Sequence, residues 1–258
     1  MKTAAIEKMS AHWLLAKIGK KVLRPGGLVL TQKMLRMLDI NSHDRIVEFA
    51  PGIGFTAKLT LKKNPESYTG IDAEQEAVDL LKKNFINTAA QFKLGNAAHS
   101  DLAEQSANKV YGEAMLSMHS DHRKSEIIRE ASRILAPKGY YAIHELALAP
   151  DSLDENVKLQ IQKELALSLK VNTRPLTVSE WTQLLKKEGF QILKTETAPM
   201  HLLELQRIIS DEGLSGFLKI AGNIIIQPKI RSRILQMRRV FKKHNNCLCA
   251  VVILAQKK

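Results

Sequence analysis

Cysteine, aromatic residues and long apolar runs are all scarce in this sequence, and each shortage excludes something. There are two cysteines in 258 residues, Cys247 and Cys249. Their spacing puts both on one face of an apolar segment, and metal or redox chemistry would want more ligands. That usage fits a reducing compartment, and the sequence reads as cytoplasmic. Aromatic residues make up 5% of the chain, which offers little sign of a stacking platform for single-stranded RNA. The most apolar run, residues 247–255, is too short to cross a bilayer and reads as a buried strand. The N-terminus has scattered lysines but no compact apolar stretch with a cleavage site, so no signal peptide is expected. Acidic residues are missing from one region altogether. Residues 228–258 contain no Asp or Glu and hold nine Lys and Arg, leaving +4 of the +13 net charge for the rest of the chain. A basic surface confined to one region says more about a partner than an even excess would.

What is present starts with residues 44–55, DRIVEFAPGIGF. Ile46, Val47 and Phe49 suit a buried strand. The strand ends in Ala50-Pro51-Gly52-Ile53-Gly54, and residues 56–63 read as a helix. Strand, glycine turn and helix open a nucleotide-binding α/β domain. Glycine lets the backbone approach a ligand and adopt positive φ, and the helix start offers free N–H groups to an anion. Glu48 is unusual, because a purely structural strand rarely buries a carboxylate. A second strand, residues 67–71, ends in Asp72. This acid stands twenty residues after Gly52, the spacing of a carboxylate that accepts from ribose hydroxyls.

The set Glu48-x-x-x-Gly52-x-Gly54 followed by Asp72 resembles the class I methyltransferases that use S-adenosylmethionine. Leu94-Gly95-Asn96-Ala97-Ala98 resembles the family's third-strand segment, with Asn96 where Asp is commonest. Glu130-x-x-Arg133-Ile134-Leu135-x-Pro137-x-Gly139 is similar to its helix and turn before the fifth strand. The likeness covers residues 31–190. It implies that the glycine turn faces the methionine part of the cofactor, that Asp72 holds the ribose and that residues 94–98 touch adenine. The cofactor residues it implies are Glu48, Ala50, Pro51, Gly52, Gly54, Asp72, Ala73, Asn96, Ala97 and Ser117, with no metal. The branch it resembles most is the one that methylates quinone precursors and other metabolites. The acceptor expected is therefore a small molecule, anionic or lipid-like. The Asn/Asp-Pro-Pro-aromatic segment of enzymes that methylate planar nitrogens is absent after the fourth strand.

Strand and helix patterns alternate along the chain, which argues for a doubly wound, mostly parallel sheet. Seven strands are expected, the last antiparallel, with a helical insertion. Residues 1–30 form an N-terminal helical segment, broken at Arg24-Pro25-Gly26-Gly27. Residues 31–199 form the cofactor-binding α/β domain, 200–246 the insertion and 247–258 the final strand. Further helices are read at 31–38, 73–85, 101–105, 121–135, 151–171 and 181–188, and strands at 92–94, 111–118, 140–144 and 190–197. In the insertion, helices are read at 201–210, 213–221 and Pro228–Lys243. The last places Ile230, Ile234, Met237 and Phe241 in an apolar stripe flanked by Arg and Lys. Such a stripe packs on the protein body, or it lies on an anionic membrane or along RNA phosphates.

Ligands of open α/β sheets bind beyond the carboxyl ends of the strands. His119, after the fourth strand, is the first candidate for a base or acceptor contact. Glu145 is second and His144 third, both at the end of the fifth strand. Three other functions compete with small-molecule methylation. RNA methylation would use the basic C-terminal segment. A nicotinamide-dependent dehydrogenase shares the turn and the acid, but Glu48 and the antiparallel last pair speak against it. A non-catalytic cofactor-binding module would keep the fold alone.

Overall fold

Apolar runs that alternate with helices can bury both faces of a sheet, and here they do. The computed structural model describes residues 3–200 and 203–258. Its strands are β1 (Arg45–Phe49), β2 (Ser67–Asp72), β3 (Gln91–Leu94), β4 (Ala107–Glu113), β5 (Leu135–Leu148), β6 (Leu176–Thr177), β7 (Phe190–Pro199) and β8 (Leu248–Lys257). They form one sheet in the order β3-β2-β1-β4-β5-β8-β7, with the two-residue β6 beside the end of β5. The β1–β2, β1–β4, β2–β3 and β4–β5 pairings are parallel, whereas β8 runs antiparallel to both β5 and β7. The chain therefore has the expected doubly wound sheet with an antiparallel last strand.

The two-residue period of each strand sends alternate side chains to opposite layers. On one face Val47, Phe49, Val110, Tyr141, Ile143 and Val251 pack with α6 (Asp121–Ile134) and α8 (Val178–Lys187). On the other, Ile46, Tyr68, Tyr111, Ala142 and Val252 pack with α3 (Gly27–Leu38), α4 (Phe55–Leu61) and α5 (Gln75–Asn84). A third apolar cluster lies past the far ends of β5 and the start of β8, around Leu146, Leu148 and Leu248. It joins α2 (Ala11–Lys17), α7 (Glu155–Leu169), α9 (Leu205–Ile226) and α10 (Pro228–Lys243) into a cap.

The insertion fastens the N-terminal segment to this cap. Glu212 accepts from the N–H groups of Lys21 and Val22 at 2.7 and 2.8 Å, and Asp211 from that of Leu28 at 2.9 Å. The Arg233 guanidinium, buried, donates to the carbonyls of Ile6, Glu7 and Met9. Residues 6–28 are thereby held against the body at several points.

Two expectations need correction, and two are met in the cap. The fourth strand ends at Glu113, not Met118: Ala114 takes φ 52° and residues Leu116–Met118 form a 3-10 turn. Residues 101–105 are not helical; Asp101 and Gln105 instead take positive φ. The break expected between the helices read at 201–210 and 213–221 is present: α9 is interrupted at Gly213, whose backbone is not helical (φ 72°, ψ 171°), and residues 201 and 202 lie outside the described residues. Of the alternatives for the apolar stripe of Pro228–Lys243, packing on the protein body is the one the fold adopts. Ile230, Ile234, Met237 and Phe241 are all buried, so that stripe is not free to enter a membrane. Burying each such side chain is worth about 1.5–3 kcal/mol, which outweighs leaving it on the surface. What α10 shows to solvent is basic, including Lys229, Arg231, Arg238, Arg239 and Lys242.

Candidate active site

The carboxyl ends of β1, β2 and β4 meet at a cavity of about 760 Å³. Its size suits a ligand pocket, which commonly holds 300–1,000 Å³. The floor is the turn after β1. Ala50, Gly52 and Gly54 all have positive φ (54°, 57° and 80°), which throws the backbone sharply toward α4. A Cβ added at Gly52 would meet nothing within 4 Å, so that position looks into open space. A Cβ at Gly54 would instead meet Leu81 and Phe85 at 2.7 Å. The first glycine keeps room for a ligand, and the second lets α4 pack on α5.

Asp72 fixes this turn. Its Oδ2 accepts from the Gly52 N–H at 2.9 Å and its Oδ1 from the Glu74 N–H at 3.0 Å. Beyond β3, Asn96 accepts from the Ala98 N–H at 3.0 Å, which folds residues 95–97 along the cavity wall. Of the residues expected from sequence, Glu48, Ala50, Pro51, Gly52, Asp72, Ala73, Asn96, Ala97 and His119 are brought together on this wall. Gly54, Ser117 and Glu145 are not part of it.

Glu145 is fully buried, and its carboxylate accepts from the N–H groups of Met115, Leu116 and Ser117 at 2.9, 2.7 and 3.1 Å. Burial pushes its pKa up, partly offset by these bonds. It shapes the 3-10 turn that presents Met118 and His119, and does not itself face the cavity. Ser117 contributes its backbone to that turn. His144, the third candidate, is also fully buried: Nδ1 lies 2.7 Å from Glu113 Oε1 and Nε2 2.6 Å from the Pro25 carbonyl. Both neighbours are acceptors, so the ring is held between a carboxylate and a carbonyl and does not face the cavity.

His119 lines the cavity beside Arg123 and Met118. Its pKa lies below 6.5 because of burial, with the charges of Arg123 and Lys124 adding to the effect. It is therefore neutral at pH 7 and able to take a proton.

Two carboxylates at the strand tips differ sharply. Glu48 Oε2 accepts from Tyr68 at 2.5 Å and Tyr111 at 2.6 Å. Burial lifts its pKa to about 7, the tyrosine hydroxyls restraining the rise. Glu113, on the next strand, is equally buried, and burial alone would raise it too. The Arg24 guanidinium, His144 and Thr56 reverse that and hold it at about 2. Glu113 also accepts from Thr31 at 2.7 Å. One carboxylate so ties the turn after α2, the helices α3 and α4, and the strand β5. Arg24 itself donates to Thr56 and Glu113 and lies over the Phe55 ring, 5.4 Å from its centroid.

The roof was not anticipated in detail. His12, Trp13, Ala16, Leu23 and Arg24 all line the cavity, whereas the sequence at residues 24–27 reads first as a plain turn that breaks the helix. Nothing local in the sequence marks His12 or Trp13. Glu113 was detectable, since it is a carboxylate in an apolar run just as Glu48 is.

Residues 46–139 match the methyltransferase domain family. An uncharacterized protein of Haemophilus influenzae is 29% identical over 239 residues, covering 91% of this chain and 92% of that protein. Among solved structures, the cyclopropane synthase MmaA2 from Mycobacterium tuberculosis superposes with a TM-score of 0.76 over 98% of each chain, at 12% identity. Phosphoethanolamine N-methyltransferase 2 of Haemonchus contortus, in complex with phosphomonomethylethanolamine and S-adenosylhomocysteine, gives 0.73 at 15% identity, over 100% of this chain and 58% of its own. Likenesses at that identity speak for the fold, and the matched segment carries the glycine turn, Asp72 and the strand tips. Residues 46–139 thus form a methyltransferase domain, and the chain shares the fold of methyltransferases solved with S-adenosylmethionine or S-adenosylhomocysteine bound.

Proposed function

We propose that the protein transfers a methyl group from S-adenosylmethionine to a small-molecule acceptor. The observation that carries this reading is the cradle at Gly52. A backbone turn in left-handed conformation faces open space and is pinned by Asp72, with a neutral histidine on the same cavity wall. The residues present fit the cofactor: a glycine turn with open space at Gly52, a carboxylate at the tip of β2 for ribose hydroxyls, and Asn96 and Ala97 beside it. When bound, S-adenosylmethionine supplies a methyl group on an already activated sulfonium.

The chain's own part is alignment and proton handling. The roof residues Trp13 and Leu23 exclude water from the cavity. Glu48, with its pKa near 7, offers a carboxylate that ionises readily beside a cationic ligand. His119 accepts the proton of an amine or hydroxyl acceptor held in line. The free thiols of Cys247, in the turn before β8, and Cys249, in β8, agree with action in the cytoplasm, and no helix among the described residues is long and apolar enough to cross a membrane.

The exposed basic face of α10 favours a second reading, methylation of RNA. The test is to supply the protein with radiolabelled S-adenosylmethionine and a cell extract and to fractionate the products. Label in the low-molecular-mass fraction is the expected result. Label in RNA would replace this reading with the second, and no label anywhere despite cofactor binding would make the domain a binding module.

A further inference from the structure

Beside the cofactor cavity lies a groove of about 1520 Å³. It runs between the N-terminal segment, with Lys219 of α9, on one side and the glycine turn, α4 and α5 on the other. That volume exceeds the roughly 300–1,000 Å³ of ordinary small-ligand pockets. Two features define its chemistry. The floor is apolar, built from Trp13, Ile53, Phe55, Leu61, Leu80 and Phe85. The rim is cationic: Lys8, Lys17, Lys21, Lys58, Lys62 and Lys219 are exposed along it. Glu76 is the one acidic side chain among its lining residues. Lys20 also lines the groove, but it is buried against Asp211 and Glu212 and is already balanced.

The groove meets the cofactor cavity, since Trp13, Ala16 and Ile53 border both. A long ligand in the groove therefore lies against the residues that wall the cavity. Lysines are suited to the task, because each is a mobile point charge on an apolar stem that can lie along a chain. Six of them around one concavity raise the local concentration of anions.

We infer that this groove binds a single-chain anionic amphiphile, its apolar chain on the Trp13–Phe85 floor and its acidic group among the lysines. Resting on the methyl transfer proposed above, this makes anionic amphiphiles the acceptor class. The charge of the rim favours such a ligand over a neutral or cationic metabolite, and the wall shared with the cavity places it beside the cofactor site.

The test uses dodecyl phosphate, kept monomeric, with dodecanol as the neutral control. Binding is followed by calorimetry for the wild type, the double variant Lys58→Glu/Lys62→Glu and the opposite-wall variant Lys219→Glu. All three positions are exposed, so the variants are expected to fold. S-adenosylhomocysteine is titrated into each protein in parallel. The expected result is dodecyl phosphate binding that is at least about tenfold weaker in the double variant and about threefold weaker in Lys219→Glu, with dodecanol binding weaker still. In the radiolabel experiment, label should be recovered among organic-extractable acids, and the double variant should transfer about tenfold less. Equal binding of dodecanol and dodecyl phosphate, or no effect of charge reversal, would overturn the proposal. So would binding to anionic vesicles without binding of the monomer. Failure of the wild type to bind S-adenosylhomocysteine would strike the cofactor reading separately, with the amphiphile titration still deciding whether the groove binds.

Discussion

The tips of β1 and β4 are neighbours in the sheet, each buries a glutamate, and the protein treats the two in opposite ways. Glu48 sits among neutral hydroxyls and keeps a pKa near 7. Glu113 sits among a guanidinium, an imidazole and two threonines and keeps one near 2. Burial pushes both upward, so the difference lies in the partners. Those of Glu113 come from the turn after α2, from α3, α4 and β5, and the carboxylate works as a fastener between cap and sheet. Those of Glu48 come from within the sheet, leaving it free to respond to whatever enters the cavity. A buried carboxylate alone therefore does not mark a ligand contact; the charge and origin of its partners decide.

The comparison breaks most visibly at Glu113. Glu113→Gln leaves the buried Arg24 without its counter-charge, and a loss of about 3–5 kcal/mol is expected in urea denaturation. Glu48→Gln, with neutral partners, should cost about 1 kcal/mol or less at pH 5. Equal losses would mean that the two sites are alike.

The pH dependence sharpens the same contrast, because the signs differ. Glu113 has a depressed pKa, so its stabilisation is present above 4.5 and is lost as pH falls toward 2. Glu48 has a raised pKa, so its contribution is full below 4.5 and is lost as pH rises through 7. Each shift corresponds to roughly 3 kcal/mol. Glu48→Gln should gain about that much on the wild type between pH 4.5 and 8. Denaturation curves at pH 4.5, 6 and 8 would show a flat difference if Glu48 were not buried as described.

Smaller effects separate cavity from fold. Gly52→Val puts a branched side chain at φ 57°, costing about 1–2 kcal/mol of stability. It also fills the open space of the cradle, so affinity for S-adenosylhomocysteine should fall by tenfold or more, about 1.4 kcal/mol. Asp72→Ala should weaken the same binding by freeing the Gly52 and Glu74 N–H groups. The smallest effect belongs to the far side of the cap. Arg238→Ala with Arg239→Ala should change stability by less than about 0.5 kcal/mol and leave cofactor affinity alone. A changed affinity would tie α10 to the cofactor site.

Much of the cavity floor was legible in the sequence because its parts are local. Gly52 and Asp72 end adjacent parallel strands, and the glycine requirement arises within a few residues. The doubly wound sheet followed from the alternation of apolar runs. The fourth strand was overextended because Met115, Leu116 and Met118 look like strand residues, while the carboxylate that bends them into a turn, Glu145, lies some thirty residues on. The roof was hidden for a similar reason. His12 and Trp13 reach the cavity only because α9 and α10, some two hundred residues later, hold the N-terminal segment in place. The stripe of α10 shows the limit of amphipathicity as a signal: the same pattern serves a membrane or a core, and here Ile161 and Leu165 of α7 supplied the core.

The most direct test of the account is a calorimetric titration of the purified protein with S-adenosylmethionine, S-adenosylhomocysteine and NAD, repeated with Gly52→Val. The account predicts that the first two bind, that NAD does not, and that the variant loses at least tenfold in affinity for both. Binding of NAD alone, or unchanged affinity in Gly52→Val, would contradict it.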